Sequence, residues 1–356
     1  MKRREPLNNT QLLTTIAVCI FAVMYIAAIV TGVQGFEKFQ MFFDLLNDNA
    51  YLIIISCALS IVMIGGGINI SVGGVISLTV MACSIFLNNS APQNELGIIV
   101  TLLLALGIGL AFGVGQGFLI SYLEIQPFIV TLAGMFLSRG LTTMLSVEPV
   151  KVSAQTHAAF YAFRSNKIEI PFLGYIAQNG NTIPAKLEIG AVVALLVVVL
   201  SFLMLRYIKL GRNIYALGGN QQSALMLGIN VKRTRFMSYV ISGLLSGIAG
   251  FVFLMHKPTG NASVAMRSEM DAIAASIIGG TLLTGGVGNV IGTFFGTMIL
   301  ATIQKIIGMS KLNDSWWQDM ASGALLGVFI LLQSVILSAR DKAKAKKAGA
   351  VSIAKG

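Results

Sequence analysis

Long apolar runs, separated by short polar segments, follow one another along almost the whole chain. The hydrocarbon core of a bilayer is about 30 Å thick, so a helix needs about 20 mostly apolar residues to cross it. By that criterion the pattern predicts an all-α integral membrane protein with about ten transmembrane helices in one domain, residues 10–339. The predicted spans cover residues 10–32, 49–66, 71–88, 96–122, 125–146, 187–208, 236–256, 271–286, 288–308 and 318–339.

Composition and charge agree with this pattern. Only 11% of the 356 residues are charged and 55% are hydrophobic, whereas soluble domains carry about 25% charged residues. The net charge of +11 reflects membrane topology, because Lys and Arg collect in cytoplasmic segments. The basic segments are residues 1–9, 209–235 and the tail 340–356. We therefore expect both termini in the cytoplasm, an outer loop over residues 147–186, a tail against lipid headgroups, and no nucleic-acid partner.

Two glycine-rich stretches interrupt predicted spans. GGGINISVGG covers residues 65–74, and IGGTLLTGGVGNVIG covers residues 278–292. Each places Gly-Gly pairs around a short polar stretch, which indicates a weak internal repeat of broken or hairpin segments. Non-helical backbone is tolerated at membrane depth only where protein buries it or water lines it. The glycines concerned are Gly66, Gly67, Gly73, Gly74, Gly279, Gly280, Gly285 and Gly286.

Polar side chains in or beside these breaks are candidates for a solute path. Asn69, Ser71 and Thr284 offer amide and hydroxyl groups that can hydrogen-bond an uncharged polyol. The alternative is that the glycines serve helix packing and hairpin geometry and that Ser71 caps the next helix. Both roles remain open from the sequence.

Arg139 lies within the fifth predicted span, and it is a further candidate for the path. A charged residue there faces the protein interior or reaches to the interface. The first alternative predicts an ion pair with Asp271 or Glu269, which begin a later span on the same side.

Residue types needed for catalysis or metal binding are sparse. His157 and His256 lie in or beside outer loops without a nucleophile or metal ligand at motif spacing, and His157 is expected to be solvated. Cys19, Cys57 and Cys83 are expected to be small buried hydrophobes. We therefore expect no catalytic residue, no metal and no disulfide.

Motifs for an energy source within the chain are also lacking. No GxxxxGK[ST] sequence occurs, so a P-loop for ATP is not predicted. The carboxylates near the spans all fall at span ends, which disfavours an ion-driven carrier. The basic start MKRR before the first apolar run is typical of a signal peptide, but no small-x-small cleavage site follows it, so we expect this run to remain as a helix.

The loop over residues 209–235 is basic and carries a short helical pattern. Asn220 can cap a two-turn helix, QQSALMLG, and Gly228 stands where such a helix would stop. We expect Ala224, Leu225 and Leu227 to lie on one apolar side. Such a helix offers an apolar surface with basic flanks to a partner in the cytoplasm. The alternative is an ordinary connector whose basic residues lie near lipid headgroups.

Three stretches of the sequence resemble one family. GGINISVG (66–73), ALGGNQQSALMLGI (216–229) and the glycine-rich stretch 271–293 are similar to motifs of the ten-span permease subunits of ABC importers for ribose, xylose, galactose and galactofuranose. The resemblance extends from about residue 45 to 335. VTLAGMFLSRG, GGTLLTGGVG and DSWW (314–317) resemble the galactofuranose branch. Asn69 stands where this family usually has Asp, so the first break lacks that negative charge.

The resemblance implies a permease of the bacterial cytoplasmic membrane that imports a monosaccharide: galactofuranose, or a related sugar such as fructose, ribose or xylose. ATP would bind to a separate cytoplasmic ATPase, so this chain would need no cofactor. An extracytoplasmic sugar-binding protein and a second permease subunit, identical or paralogous, would complete the importer. The residues implied to couple to the ATPase are Gly218, Gly219, Asn220, Ala224 and Gly228.

Two other functions are weighed against an importer subunit. A membrane-embedded enzyme acting on a lipid-linked sugar would need paired carboxylates or a nucleophile and base within the spans, and none is apparent. An ion-coupled carrier would transport without partners. The outer loop is expected to be either a small cap or a docking surface, and Trp316 and Trp317 are expected to anchor the last span at the headgroups.

Overall fold

The protein is described by a computed structural model, which covers residues 9–33, 35–89, 92–176, 182–309, 316–317, 320–324, 326–329 and 331. Helices form most of it, with two small sheets. The helices are α1 (Asn9–Val30), α2 (Phe39–Asp48), α3 (Ala50–Ile64), α4 (Val72–Asn89), α5 (Glu95–Ser121), α6 (Pro127–Leu145), α7 (Ala158–Ser165), α8 (Ile189–Tyr207), α9 (Lys209–Gly219), α10 (Gln221–Met226), α11 (Val231–His256), α12 (Ser268–Ile278) and α13 (Val290–Met309). The strands are β1 (Val150–Lys151), β2 (Lys167–Ile176), β3 (Thr182–Glu188) and β4 (Thr259–Gly260).

Seven of the described helices are long and apolar enough to cross a membrane, and an eighth span arises if α2 and α3 count together. Those two helices meet at a bend of 61°. The predicted span over residues 271–286 is wrong as a continuous helix, because α12 ends at Ile278 and the next helix begins only at Val290. The prediction of ten helices is therefore not reached within the described residues. Most of the predicted span 318–339, and the whole tail 340–356, lie outside them.

Helix α3 forms the centre of the bundle. Every residue from Leu52 to Ile64 is buried, and α8, α11, α12 and α13 all pack around the helix. A helix that is apolar on all sides is stable only when other helices surround it completely. The first glycine-rich break begins at the end of this central helix. Its Gly66 is exposed at a polar cavity, whereas Asn69 and Ile70 are buried.

The most extensive contact between described helices is that of α5 with α11, and small residues make it possible. A Cβ atom added to Gly113 would lie 2.9 Å from the carbonyl of Tyr239 and 3.1 Å from the Cα of Gly243. Gly109 and Gly247 make the same kind of main-chain contact one turn away. Glycine at such a crossing lets the two backbones touch. The resulting van der Waals contact stabilises the helix pair in lipid, where the hydrophobic effect does not drive helices together. This crossing fixes α5 beside the first break.

The described residues of the predicted outer loop 147–186 form a folded cap. It contains helix α7 and a hairpin of β2 and β3, which pairs Lys167 with Glu188, while β1 pairs with β4 after α11. The all-α prediction therefore holds for the membrane-spanning part, and the cap adds two two-stranded sheets. We call this end of the bundle the β-hairpin end, and the opposite end, where α9 and α10 lie, the α9–α10 end.

Candidate coupling site and solute path

Both glycine-rich breaks end a helix with the same backbone turn. In the first, the amides of Gly66 and Gly67 donate to carbonyls in the last turn of α3, at 2.9 and 3.0 Å. In the second, the amides of Gly280 and Thr281 donate in the same way to the last turn of α12, both at 2.9 Å. Gly66 and Gly280 adopt φ values of +78° and +92°, which glycine allows without strain. The two stretches therefore match with Gly66 opposite Gly280.

After each turn the chain enters the next helix with an asparagine. The Asn69 Oδ1 atom accepts from the Ser71 amide before α4, and the Asn289 Oδ1 atom accepts from the Ile291 amide at the start of α13, each at 3.1 Å. Both breaks are thus well-formed helix ends and helix starts. Whether the two halves of the fold repeat as a whole stays a prediction.

Not all the predicted hairpin glycines lie in the breaks. Gly73 and Gly74 belong to the first turn of α4, where Gly73 lies against the Glu269 carboxylate and Gly74 against Ser138. Gly279 packs on the backbone of Gly292. These three positions serve close helix packing, which is one of the alternatives that the sequence left open.

The end of α9 lies against both breaks at once. The Gly286 amide donates to the Ile64 carbonyl at 2.8 Å, so the second break is hydrogen-bonded to the end of α3. Gly218, near the end of α9, packs directly on the Ile64 carbonyl and on the Gly286 amide, and a Cβ atom there would overlap both. The Tyr215 hydroxyl donates to the Gly288 carbonyl at 2.7 Å. Direct main-chain contacts and hydrogen bonds therefore hold helix α9 and the two breaks together.

The short helix α10 follows α9 directly, and its predicted caps are confirmed. The Asn220 side chain accepts from the Ser223 amide at 2.9 Å. Gly228 ends the helix with φ +75°. The side chains of Leu225, Met226 and Leu227 are 54%, 82% and 77% exposed. We call these three residues the apolar knob.

The predicted orientation of α10 is wrong at one position. Ala224 is only 1% exposed and packs inward on Leu217 and Val231, so it anchors α10 to the protein instead of presenting a surface. Gly219 differs from Gly218, because a Cβ atom at Gly219 would meet nothing within 4 Å. Gly218 and Gly219, which the family resemblance implies both couple to the ATPase, thus have different structural roles.

Asn69 and Ser71 lie in a buried polar cluster. They are 2% and 1% exposed. The Asn69 amide donates to the Ser242 hydroxyl at 3.0 Å, and the Ser71 hydroxyl lies 2.8 Å from Asn69 Oδ1 and 3.0 Å from Gln116 Oε1. An aspartate at position 69 would lack the donor that reaches Ser242. In this conformation the two side chains bind one another and do not face an open cavity.

Gln116 was missed by the sequence reasoning, although a glutamine within a 27-residue apolar helix is a recognisable signal. It is 5% exposed, and its Nε2 atom has no hydrogen-bond partner among the described residues. Gln116 lines an apolar groove of about 640 Å³ between α5 and α6, together with residues such as Ala111, Gly115 and Leu137. The Nε2 atom itself is buried in this conformation and lies against Gly134, beneath the surface of the groove.

Thr284 has a different environment from Asn69 and Ser71. It is exposed and lines a polar cavity of about 660 Å³ at the α9–α10 end, beside Gly66, Gly218 and Arg235. The structure therefore separates the path candidates: two lie inside the bundle and one at the α9–α10 end.

Arg139, on α6, lies toward the β-hairpin end and faces the protein interior. Its guanidinium donates to the carbonyls of Ala262, Val264 and Ala265 at 3.2–3.3 Å and lies 3.9 Å from the Glu269 carboxylate. The predicted ion pair is thus confirmed for Glu269. Arg139 holds the loop between β4 and α12 against α6.

A second charged cluster joins the cap to the helix ends. His256 Nδ1 lies 2.8 Å from Glu188 and its Nε2 lies 3.7 Å from Asp48. Lys167 and Lys305 pair with these two carboxylates at 3.0 and 2.9 Å. The hydrogen bond with His256 lowers the pKa of the Glu188 carboxyl to about 2. His256 therefore has a structural partner in the described part of the chain.

The expectation that His157 is solvated is wrong. It is fully buried, its Nδ1 atom accepts from the Phe160 amide to cap α7, and its Nε2 atom lies 2.9 Å from the Pro92 carbonyl. Cys57 and Cys83 are buried as expected, but Cys19 is exposed. Within the described residues no group of three or more His, Cys, Asp or Glu side chains could hold a metal ion.

The sequence of the chain is similar to those of known transport proteins. A family model described as "Branched-chain amino acid transport system / permease component" matches residues 41–331. The chain is 36% identical to the inner membrane ABC transporter permease protein YjfF of Escherichia coli K12 over 92% of both chains. It is 31% identical to the fructose import permease protein FruG of Bifidobacterium longum over 95% of both, and 29% identical to the ribose import permease protein RbsC of Escherichia coli K12 over 88% of this chain and 91% of that one.

No solved structure is significantly similar to the chain. The family match covers most of the chain, and it includes both breaks, α9, α10 and the groove between α5 and α6. The chain therefore belongs to this family of transport permeases, alongside ABC transporter permeases for sugars, and it is a multi-pass membrane transport protein and not an enzyme.

Proposed function

We propose that the chain is the permease subunit of an ABC importer that carries a monosaccharide across the bacterial cytoplasmic membrane. A separate ATPase binds the apolar knob, and an extracytoplasmic binding protein delivers the sugar. The observation that carries the proposal is the connection from the knob on α10, through Gly218 on α9, to both breaks. The sugar is galactofuranose or a related monosaccharide such as fructose, ribose or xylose. Galactofuranose rests on the sequence resemblance, whereas fructose, xylose and ribose appear in the names of relatives.

The orientation that fits this function places the α9–α10 end in the cytoplasm. Lys209, Arg212, Lys232, Arg233 and Arg235 all lie there, as the preference of basic residues for cytoplasmic loops requires. Both termini then lie in the cytoplasm, and the cap with α7 and the β-hairpin faces the binding protein.

Energy from ATP would enter through the knob. Helix α10 has six residues and is too short to be stable alone in water. Its exposed leucine and methionine side chains can dock into a groove of a partner protein. Movement of that partner would pull α9, and α9 contacts the Ile64 carbonyl and the Gly286 amide directly. To move the permease population decisively, ATP must favour one conformer by roughly 5 kcal/mol.

The groove between α5 and α6 is the proposed contact for the second permease subunit. Gly107, Ala111 and Gly115 recur every fourth residue on the exposed side of α5, a spacing that lets a second helix approach closely. The sugar path would then run between the two subunits, within reach of the polar cluster at Asn69 and Ser71.

Charging the knob should uncouple the transporter without unfolding it. Met226→Asp places a carboxylate on a side chain that is 82% exposed, so the fold should be unchanged, whereas the ATPase cleft would have to bury the charge. We expect ATP-driven uptake in proteoliposomes containing the ATPase and binding protein to fall at least about a hundredfold, the effect of roughly 3 kcal/mol.

The matched control is Val147→Asp, a similarly exposed apolar residue, 78%, at the β-hairpin end. This variant should still co-purify with the ATPase, and Met226→Asp should not. ATPase binding and uptake by Met226→Asp at wild-type levels would reject the knob as the docking element. Uptake by the wild-type chain without any ATPase would reject the importer itself in favour of an ion-coupled carrier.

Contact between two permease subunits should be detectable by cross-linking. In a background with the three native cysteines replaced by serine, Gly115→Cys should form disulfide-linked dimers in membranes, because Gly115 is exposed and nothing lies within 4 Å of an added Cβ. Leu196→Cys, on the exposed side of α8, is the control and should stay monomeric. Equal cross-linking at both positions, or none at Gly115, would argue against this interface.

A further inference from the structure

A cavity of about 550 Å³ opens between α9 and the first turns of α11. It adjoins the knob through Leu227, and no residue of either break lines it. Its lining combines basic, polar and apolar side chains. The residues are Lys209, Leu210, Asn213, Leu227, Gly228, Ile229, Asn230, Arg233, Thr234 and Met237.

The charge of this cavity is unbalanced. Lys209 and Arg233 are its only charged lining residues, and no carboxylate lines it. Neither side chain has a hydrogen-bond or ion-pair partner in the part of the chain that the structure describes. Lys232, the neighbour of Arg233, is by contrast paired with Glu124 at 2.9 Å. Two uncompensated cations at one cavity are a site for an anion.

The cavity lies where a membrane helix ends. Helix α8 ends at Tyr207, two residues before Lys209. Met237 is six residues after the start of α11, about 9 Å along the helix at 1.5 Å per residue. Apolar Leu210 and Met237 thus line the same cavity as the two cations. A groove that is apolar and cationic together, at the end of a span, matches the junction between lipid headgroups and acyl chains.

We propose that this cavity binds the phosphodiester headgroup of an anionic phospholipid, with Lys209 and Arg233 contacting the phosphate and Leu210 and Met237 contacting the start of the acyl chains. Arg233 can bind two phosphate oxygens at once, and Lys209 adds a point charge. The inference does not depend on which solute the permease carries.

The test uses the purified full-length protein in detergent and counts bound lipids by native mass spectrometry. Phosphatidylglycerol should bind the wild-type chain at least about tenfold more tightly than phosphatidylcholine. The double variant Lys209→Gln/Arg233→Gln should bind phosphatidylglycerol roughly thirtyfold more weakly, because each basic residue near an anionic surface contributes roughly a fivefold effect. Melting temperature in lipid-free detergent should be the same for both proteins, because the two side chains have no partner to lose.

Lys232→Gln is the matched control, since it removes one positive charge at the adjacent position outside the cavity. Its affinity for phosphatidylglycerol should change less than about twofold. Unchanged binding by the double variant, or an equal loss in Lys232→Gln, would overturn the site. If millimolar inorganic phosphate displaced the lipid completely, the cavity would be a site for free phosphate, and the lipid assignment would be wrong.

Discussion

Valine in place of Gly218 is expected to abolish transport and to lower the melting temperature by roughly 5 to 10 °C. The expectation follows from the position of Gly218 between the Ile64 carbonyl and the Gly286 amide, where even one added carbon would overlap main-chain atoms. Main-chain atoms cannot rotate away as a side chain can, so α9 would have to separate from both breaks. Thermal unfolding in detergent and uptake by reconstituted vesicles measure the two effects.

The adjacent glycine provides the control for this variant. A Cβ atom on Gly219 would meet nothing within 4 Å, and alanine stabilises a helix relative to glycine by about 1 kcal/mol. Gly219→Ala should therefore be at least as stable as the wild type and keep wild-type uptake. If Gly218→Val and Gly219→Ala behaved alike, whether both active or both inactive, the contact between α9 and the breaks would not be what couples them.

Local signals in the sequence predicted the ends of elements well. The asparagine at position 220 and the glycine at 228 mark the start and stop of α10, because capping depends on hydrogen bonds within a few residues. The glycine-rich breaks were also recognised, since only a few backbone conformations follow a helix that ends in Gly-Gly. The ends of the long apolar helices are predicted by local signals of the same kind.

Orientation and partners could not be read in the same way. Ala224 points inward because it packs on Leu217 and Val231, which belong to the neighbouring helices α9 and α11. His157 is buried by Pro92, 65 residues away. The apolar run at 271–286 looked long enough to span, but its second half packs on α3 and α9 as a loop. Such outcomes depend on tertiary contacts, which apolar periodicity does not encode.

The pairing of Arg139 with Glu269 illustrates the opposite case, in which a charge in an apolar helix predicts its own partner. Both side chains lie in one interior region, 19% and 8% exposed, so each is costly without the other. Arg139→Leu should destabilise the protein by about 3 to 5 kcal/mol, because it leaves a buried carboxylate unpaired and three carbonyls without their donor. Chemical unfolding in detergent micelles measures this loss.

A double-mutant cycle separates the ion pair from the carbonyl contacts. Glu269→Gln alone removes the negative charge, and the double variant Arg139→Leu/Glu269→Gln should recover at least about 1 kcal/mol of the loss caused by Arg139→Leu. The rest should remain, because Ala262, Val264 and Ala265 still lack a donor in the double variant. Additive effects within about 0.5 kcal/mol would mean that Arg139 acts only through those carbonyls. Coupling above that value assigns the charge of Glu269 a direct part in holding α6 to α12.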